Sequence, residues 1–405
     1  KKEYIFYLFL YITLIIGFVL GENSAGGAEH DSNIIFKAVK SFSLDLNGTY
    51  INYHNFRITH YPFYYIFLSQ ILKLSGSIFF TKLVILHLGL FLPLIFYKII
   101  KIKYTSDNKY LIYLPGILFL SPGYRSASIW GLNDNIALIF FSLSVFFYLK
   151  YVNEKIIKKK IIYILLNATM LAIAAYTRQY YAIFSIFFIY KLIEKFNIKI
   201  LGYYVVVNII LAAYAIKLTI FNINLNYSYN YFTSNIFNNI ALSITMFVVY
   251  LLPTVCNKDF FIKTYNYFKI KKNILLLNFL FLIILFMFFD YNLPYGGGIF
   301  YKVIYNYSSY LYFLILTSSL LIVTNFLSDN YKNNIILISC IFLAFLTEAV
   351  YQKYFEILSI ILLFSLFRNL YINQFINNLK FTIKYLYLYF LLIYCGHIVY
   401  KHLLA

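Results

Sequence analysis

The chain has 405 residues, of which 62% are hydrophobic and 22% aromatic, with a mean hydropathy of +0.75 and a formal net charge of +20. That composition excludes a soluble domain wrapped in polar residues and reads as an all-α polytopic membrane protein, one transmembrane domain over 1–405. The cations are spread through short connectors between apolar runs, which excludes a nucleic-acid surface, where they would gather on one face.

A spanning helix needs roughly 20 apolar residues. Runs of that kind fall near 4–20, 78–100, 110–122, 133–150, 161–177, 179–194, 200–221, 236–252, 274–290, 309–327, 335–350, 353–367 and 383–400, which predicts about 11–13 transmembrane helices. The first run opens a multi-span chain and reads as a retained helix. Alternate loops are rich in lysine, as in 98–109, 150–160, 191–199 and 258–272, and these are expected on the non-translocated side.

The loop between the first two long runs, 21–77, carries four of the chain's fourteen acids, Glu22, Glu29, Asp31 and Asp45. Within it Asp31–Leu44 and Tyr61–Leu74 have amphipathic spacing, which predicts two helices lying on the membrane interface, the second with Tyr64, Tyr65 and Phe67 at headgroup level. Glu29, His30 and Asp31 form a dense ionisable triplet after the Gly26-Gly27 pair. Asp31 has two readings: a residue that caps the amides of Asn33 and Ile34, or a carboxylate that accepts a proton from a sugar hydroxyl. His30, His54 and His60 read as hydrogen-bonding partners of a polar substrate, because their spacings match no recurring metal site and no metal is expected.

The next translocated loops supply cations at helix ends, where the phosphate of a lipid-borne donor would lie: Arg125, Arg178, Lys302 and Lys353. Arg178 interrupts two apolar segments with almost no loop around it, which places it in the interior, paired with Glu348 or Asp134. Trp130, the only tryptophan, precedes Asn133, Asp134 and Asn135, a grouping that holds a sugar by stacking and hydrogen bonding. Gly296, Gly297 and Gly298 after Asp290 read as a mobile lid. The three cysteines form no disulfide framework or zinc pattern, no internal repeat is visible, and no glycine fingerprint for a soluble nucleotide sugar is present.

With those residues placed, the chain resembles the GT-C superfamily of integral-membrane glycosyltransferases, and most nearly the dolichyl-phosphate-glucose α-1,2-glucosyltransferases. In that family an Asp-Glu pair after the first span precedes Ile-Thr-Thr-x-Pro-Gly-x-Tyr; here Asp31 precedes Ile58-Thr59-His60-Tyr61-Pro62-Phe63-Tyr64-Tyr65. The family's Arg-Gln-Thr-Asn is echoed by Arg178-Gln179-Tyr180-Tyr181, and Ser32 stands where the family has Glu. The resemblance implies transfer of a hexose from a polyprenyl-phosphate sugar to a glycan or lipid-linked acceptor, with inversion and no cofactor. It implies Asp31 as base with Glu29 in reserve. Arg178, Lys353, Arg125 and Lys302 would bind the donor phosphate. His30, His54, His60, Trp130, Asp134, Gln179 and Glu348 would contact sugar or acceptor. The implied setting is a bacterial inner membrane or endoplasmic reticulum membrane, with the site on the periplasmic or luminal face. The rival reading is a lipid-linked oligosaccharide flippase or other transporter, which would also need many spans and a sugar cleft.

Overall fold

The computed structural model describes residues 2–56, 58–104, 108–194, 198–221, 236–293, 296–305, 307–347 and 349–403. Glu348 lies outside the described residues. The described residues form helices and no strands. In chain order they are α1 (Lys2–Val19), α2 (Ala28–Leu44), α3 (Leu46–Ile51), α4 (Phe63–Ser75), α5 (Ile78–Gly89), α6 (Phe91–Lys103), a 3₁₀ helix (Lys109–Leu120), α7 (Pro122–Trp130), α8 (Asn133–Asn153), α9 (Ile157–Thr177), α10 (Phe184–Glu194) and α11 (Ile198–Phe221). They continue with α12 (Ile236–Val255), α13 (Lys258–Ile270), α14 (Lys272–Phe288), α15 (Ser309–Ser328), α16 (Tyr331–Ala344), α17 (Gln352–Ser365), α18 (Leu370–Asn377) and α19 (Leu379–Leu403).

Eight of these are long and apolar enough to cross a membrane, counting α5 with α6 as one, and ten if each of two sharply bent pairs is one span. The protein is therefore an integral membrane protein. Among the described residues that is fewer than the 11–13 expected. Residues 109–120 and 331–344 are apolar but short, and 179–194 divides into a 3₁₀ turn and the 11-residue α10. Apolar runs mark buried segments as readily as spanning ones, and hydropathy cannot separate them.

Two compact units make up the chain: unit 1 is Lys1–Ser228 with Tyr387–Ala405, and unit 2 is Tyr229–Leu386. In unit 1, α8 and α9 form the most extensive helix pair, joined by a three-residue turn. Buried Asn167 clips them by donating to the Ser144 carbonyl at 2.8 Å and its hydroxyl at 2.7 Å. The 12-residue 3₁₀ segment is long for its kind. It holds Pro115, which has no amide to donate. Two tyrosines make up part of the deficit: Tyr7 donates to the Ile112 carbonyl at 2.5 Å and Tyr387 to the Tyr113 carbonyl at 2.6 Å. Gly116 is required there, since a Cβ would overlap the Tyr387 hydroxyl and press on Phe6 at 2.9 Å.

The first loop folds largely as its periodicity predicts. Helix α2 begins three residues before Asp31, behind Gly27 in the left-handed region (φ 68°), and buries Ile35, Phe36, Ala38, Val39 and Phe42. It packs on α4, which buries Tyr64, Tyr65 and Leu68. Tyr64 and Tyr65 are therefore core residues, and on that helix Phe63 and Phe67 are the exposed rings. Placing all three aromatics at headgroup level overlooked that positions 64, 65 and 68 share the face turned to α2.

Unit 2 is organised around α12, whose side chains are mostly buried. Side-chain amides staple its neighbours. Asn238 and Asp290 bond reciprocally, side chain to carboxylate at 2.8 Å and amide to side chain at 2.9 Å. Asn239 donates to the carbonyls of Phe345 and Thr347. The three glycines at 296–298 all adopt left-handed backbone, φ 77°, 79° and 74°. The Gly297 amide bonds the Val350 carbonyl at 2.8 Å, and the Ile299 amide bonds the Gln352 side chain at 2.7 Å. A Cβ at Gly296 would meet the Val350 carbonyl at 3.0 Å, so these glycines serve a tightly docked turn, which corrects their reading as a mobile lid.

Candidate functional site

Four of the residues singled out in the sequence come together in unit 1, where the start of α8, the end of α9 and the segment before α4 meet. Arg178, at the C-terminus of α9, lies 2.7 Å from Asp134 in the first turn of α8, and both side chains are buried. The same guanidinium reaches His60 Nε2 at 2.8 Å. Because a guanidinium only donates, Nε2 must accept, and the imidazole proton sits on Nδ1. That Nδ1–H faces Gln179 Oε1 at 3.1 Å, and the Gln179 amide returns to the Thr59 carbonyl at 2.6 Å. The relay is self-consistent, with the Nδ1–H of His60 and the amide of Gln179 each meeting an acceptor, and it ties the first loop to the break between α9 and α10.

Electrostatics reinforce the tautomer. Burial lowers the His60 pKa to about 3, assisted by the adjacent Arg178 charge, against an ordinary value of 6.5. His60 is therefore a neutral imidazole at physiological pH. The Arg178–Asp134 pair is net neutral and largely dry, the type of pair whose breakage leaves a costly uncompensated charge. Its geometry matches the interior pairing with Asp134 expected of Arg178 and turns the guanidinium towards His60.

Three tyrosines wall this network. Tyr64 donates to the Gly131 carbonyl at 2.7 Å, and its phenol, like those of Tyr65 and Tyr181, feels the charges of Arg178 and Asp134. Tyr65 also feels Asp31. Asp31 thus stands at the edge of the network on the α2 side. It does not cap the helix, since the cap position is Gly27 and the Ala28 amide is held by Asn23 at 3.1 Å. Glu29 acts in another direction, on Lys82. Successive helical residues are about 100° apart, so Glu29, His30 and Asp31 fan out around α2 and do not act as one cluster.

Arg125 is committed elsewhere. Buried in α7, it grips both carboxylate oxygens of Glu22, with Nε at 2.8 Å from Oε1, and donates to the Thr13 carbonyl at 2.9 Å and the Phe119 carbonyl at 3.3 Å. The Tyr394 ring covers its guanidinium at 5.3 Å. Burial would raise the Glu22 pKa, but the bonds and charge of Arg125 outweigh it and hold the carboxyl below its ordinary range. This clamp fastens the end of α1 to α7 and leaves no free guanidinium edge for a phosphate, correcting the expected role of Arg125. Trp130 belongs to the same clamp: its indole N–H donates to the Glu22 carbonyl at 2.8 Å and the Lys82 ammonium lies 4.5 Å from its ring. Its face is covered by that cation, and Asp134 turns instead to Arg178, so the sugar-holding pair of Trp130 and Asp134 is not assembled.

His30 and His54 are exposed, on α2 and on the 3₁₀ turn Tyr53–Phe56 respectively. Among the described residues no three His, Cys, Asp or Glu side chains gather as they would around a metal ion. In unit 2, Lys302 is half-buried beside the glycine turn, and burial pushes its ammonium pKa down. Lys353 is half-buried against the rings of Tyr351 and Tyr354, at 5.4 and 5.3 Å. Sequence reasoning missed Thr59 and Tyr181, and in unit 2 Gln352, which joins the glycine turn to the Tyr250 hydroxyl at 2.8 Å. A buried glutamine beside a lysine at a helix start was the available signal for the last. No family model, curated protein or solved structure matches the chain.

Proposed function

We propose that the protein is a GT-C-type glycosyltransferase that moves a hexose from a polyprenyl-phosphate sugar to a glycan or lipid-linked acceptor on the translocated face of its membrane. The observation that carries this reading is the Arg178–Asp134–His60–Gln179 network, with Asp31, a partly exposed carboxylate, acting on the same Tyr65 phenol as Arg178 and Asp134. In the proposed reaction the acceptor hydroxyl gives its proton to Asp31 as its oxygen bonds the anomeric carbon. The bond from that carbon to the donor phosphate oxygen breaks, and polyprenyl phosphate leaves with the electron pair. His60, neutral and fixed in one tautomer, and Gln179 supply hydrogen bonds to a sugar. Arg178 and Asp134 hold that pair in place. Within unit 2, Lys302 and Lys353 keep phosphate recognition as their proposed role, and α2 and α4 are the proposed interfacial helices.

The transporter reading draws on the two bent helix pairs, at 97° and 86°. Broken helices in transporters meet at the bilayer midplane, whereas both bends here lie beside exposed lysines or arginine, at a helix end. The test compares wild type and Asp31→Asn in detergent for release of polyprenyl phosphate from polyprenyl-phosphate glucose and mannose, with a mixed lipid-linked glycan acceptor. Release by wild type and a loss of about 100-fold or more in the variant supports the proposal. Equal release removes Asp31 as base, and no release with lipid-linked glycan crossing reconstituted vesicles replaces the proposal with the transporter.

A further inference from the structure

At one end of unit 2 two helices turn at right angles to the apolar helices they adjoin. Helix α13 meets α14 at 97°, and α18 meets α17 at 86°. They pack on each other: the Phe260 and Tyr371 rings contact edge to face at 4.8 Å, and the Lys263 ammonium lies 5.1 Å from the Tyr371 ring. Asparagines lock the pair to the same end of the unit. Asn325 donates to Thr264 on α13 at 2.8 Å, Asn369 to the Phe326 carbonyl at 2.8 Å, and Asn334 to the Arg368 carbonyl at 2.8 Å. If α14 and α17 cross a bilayer, α13 and α18 must run along its surface.

The face they leave uncovered is mixed in a telling way. Lys258, Lys263, Lys269, Lys271, Lys272 and Arg368 are all exposed, against Asp259 and the partly exposed Asp329. Between the lysines of α13 stand exposed apolar side chains, with Phe261 46%, Ile262 47%, Tyr265 68% and Ile270 76% accessible. Five lysines in fifteen residues forbid the hydrocarbon core. Four exposed large apolar side chains are equally out of place in water. The boundary between headgroups and acyl chains satisfies both.

We infer that α13 and α18 form a platform that binds anionic phospholipid headgroups. Ammonium groups would pair with lipid phosphates while Phe261, Ile262 and Tyr265 enter the acyl boundary. The inference rests on charge complementarity and the two right-angle bends, and it stands whether or not the transferase proposal does.

The test titrates the purified full chain in neutral detergent with fluorescently labelled phosphatidylglycerol and, separately, phosphatidylcholine. Wild type should bind the anionic lipid more tightly, with affinity falling as salt rises. Each surface lysine near an anionic membrane contributes a factor of roughly five, so Lys263→Gln with Lys269→Gln should weaken phosphatidylglycerol about tenfold or more. Lys263→Arg with Lys269→Arg should restore it, and Lys158→Gln with Lys159→Gln, elsewhere on the chain, should weaken it less. Equal binding of the two lipids, an unweakened Gln variant, or glycerophosphoglycerol binding as tightly as the intact lipid would each overturn the inference, the last in favour of a soluble phosphate.

Discussion

Replacing Asp134 with alanine tests the central claim about the candidate site, that Arg178 is a paired interior charge. The two side chains are only 8% and 11% exposed, with N–O contacts at 2.7 and 2.9 Å. Asp134→Ala leaves the guanidinium buried with His60 as its remaining polar contact of those described above, and a broken buried pair costs about 3–5 kcal/mol. For a unit of this size a loss of that order lowers the melting temperature by about 6 °C or more. Removing both charges, as Asp134→Ala with Arg178→Met, relieves the uncompensated charge and leaves the loss of the His60 bond, so the double variant should melt within about 2 kcal/mol of wild type. Trp130 is the chain's only tryptophan and sits in unit 1, so thermal melts in detergent read by its selectively excited fluorescence report on this unit. If the double variant loses the sum of the two single losses to within about 0.5 kcal/mol, the residues are not coupled and the reasoning fails.

The His60 pKa lies below that of an unfolded histidine, so the unfolded chain binds more protons between about pH 6.5 and 3, and stability falls as pH drops through that window. The slope from this group is at most about 1.4 kcal/mol per pH unit; melts by Trp130 fluorescence from pH 7 to 5 should decline in wild type and flatten in His60→Gln. Gly297→Ala places a Cβ against the Tyr301 ring at φ 79°, and should cost unit 2 about 1–2 kcal/mol from the backbone alone. Gly202→Ala, in helix α11 with nothing within 4 Å, should be neutral or stabilise by about 0.5–1 kcal/mol. Both are read from thermal aggregation in detergent. Arg125→Lys keeps the charge but loses the fork on Glu22, and should lower the Trp130 melt clearly, by about 1.5–3 kcal/mol.

Much of the site was legible because rare residue types in an apolar chain carry information. Arg178 with almost no loop around it pointed to an interior pair, and Asp134 was one of its two named partners. Other parts were not legible, because position on a helix decides direction. Glu29 and Asp31 are two residues apart, and an α2 that begins at Ala28 turns them to different neighbours. The bias towards asparagine hid Asn239, Asn333, Asn334 and Asn369, all buried, whose amides satisfy backbone carbonyls, and Asn238, whose amide holds the Asp290 carboxylate.

Hydropathy and the placement of lysines by themselves determined that this is a helical membrane protein with an acid-bearing first loop, since those properties follow from transfer free energies that add residue by residue. Only the tertiary structure decided which cations are spoken for. Arg125 and Arg178 look alike in the sequence, each a lone guanidinium at a helix end. The first is consumed by Glu22 and the carbonyls of Thr13 and Phe119, the second by Asp134 and His60. Partnership depends on which helix ends meet, and that is fixed by packing between segments 44 to 118 residues apart, which no local pattern records.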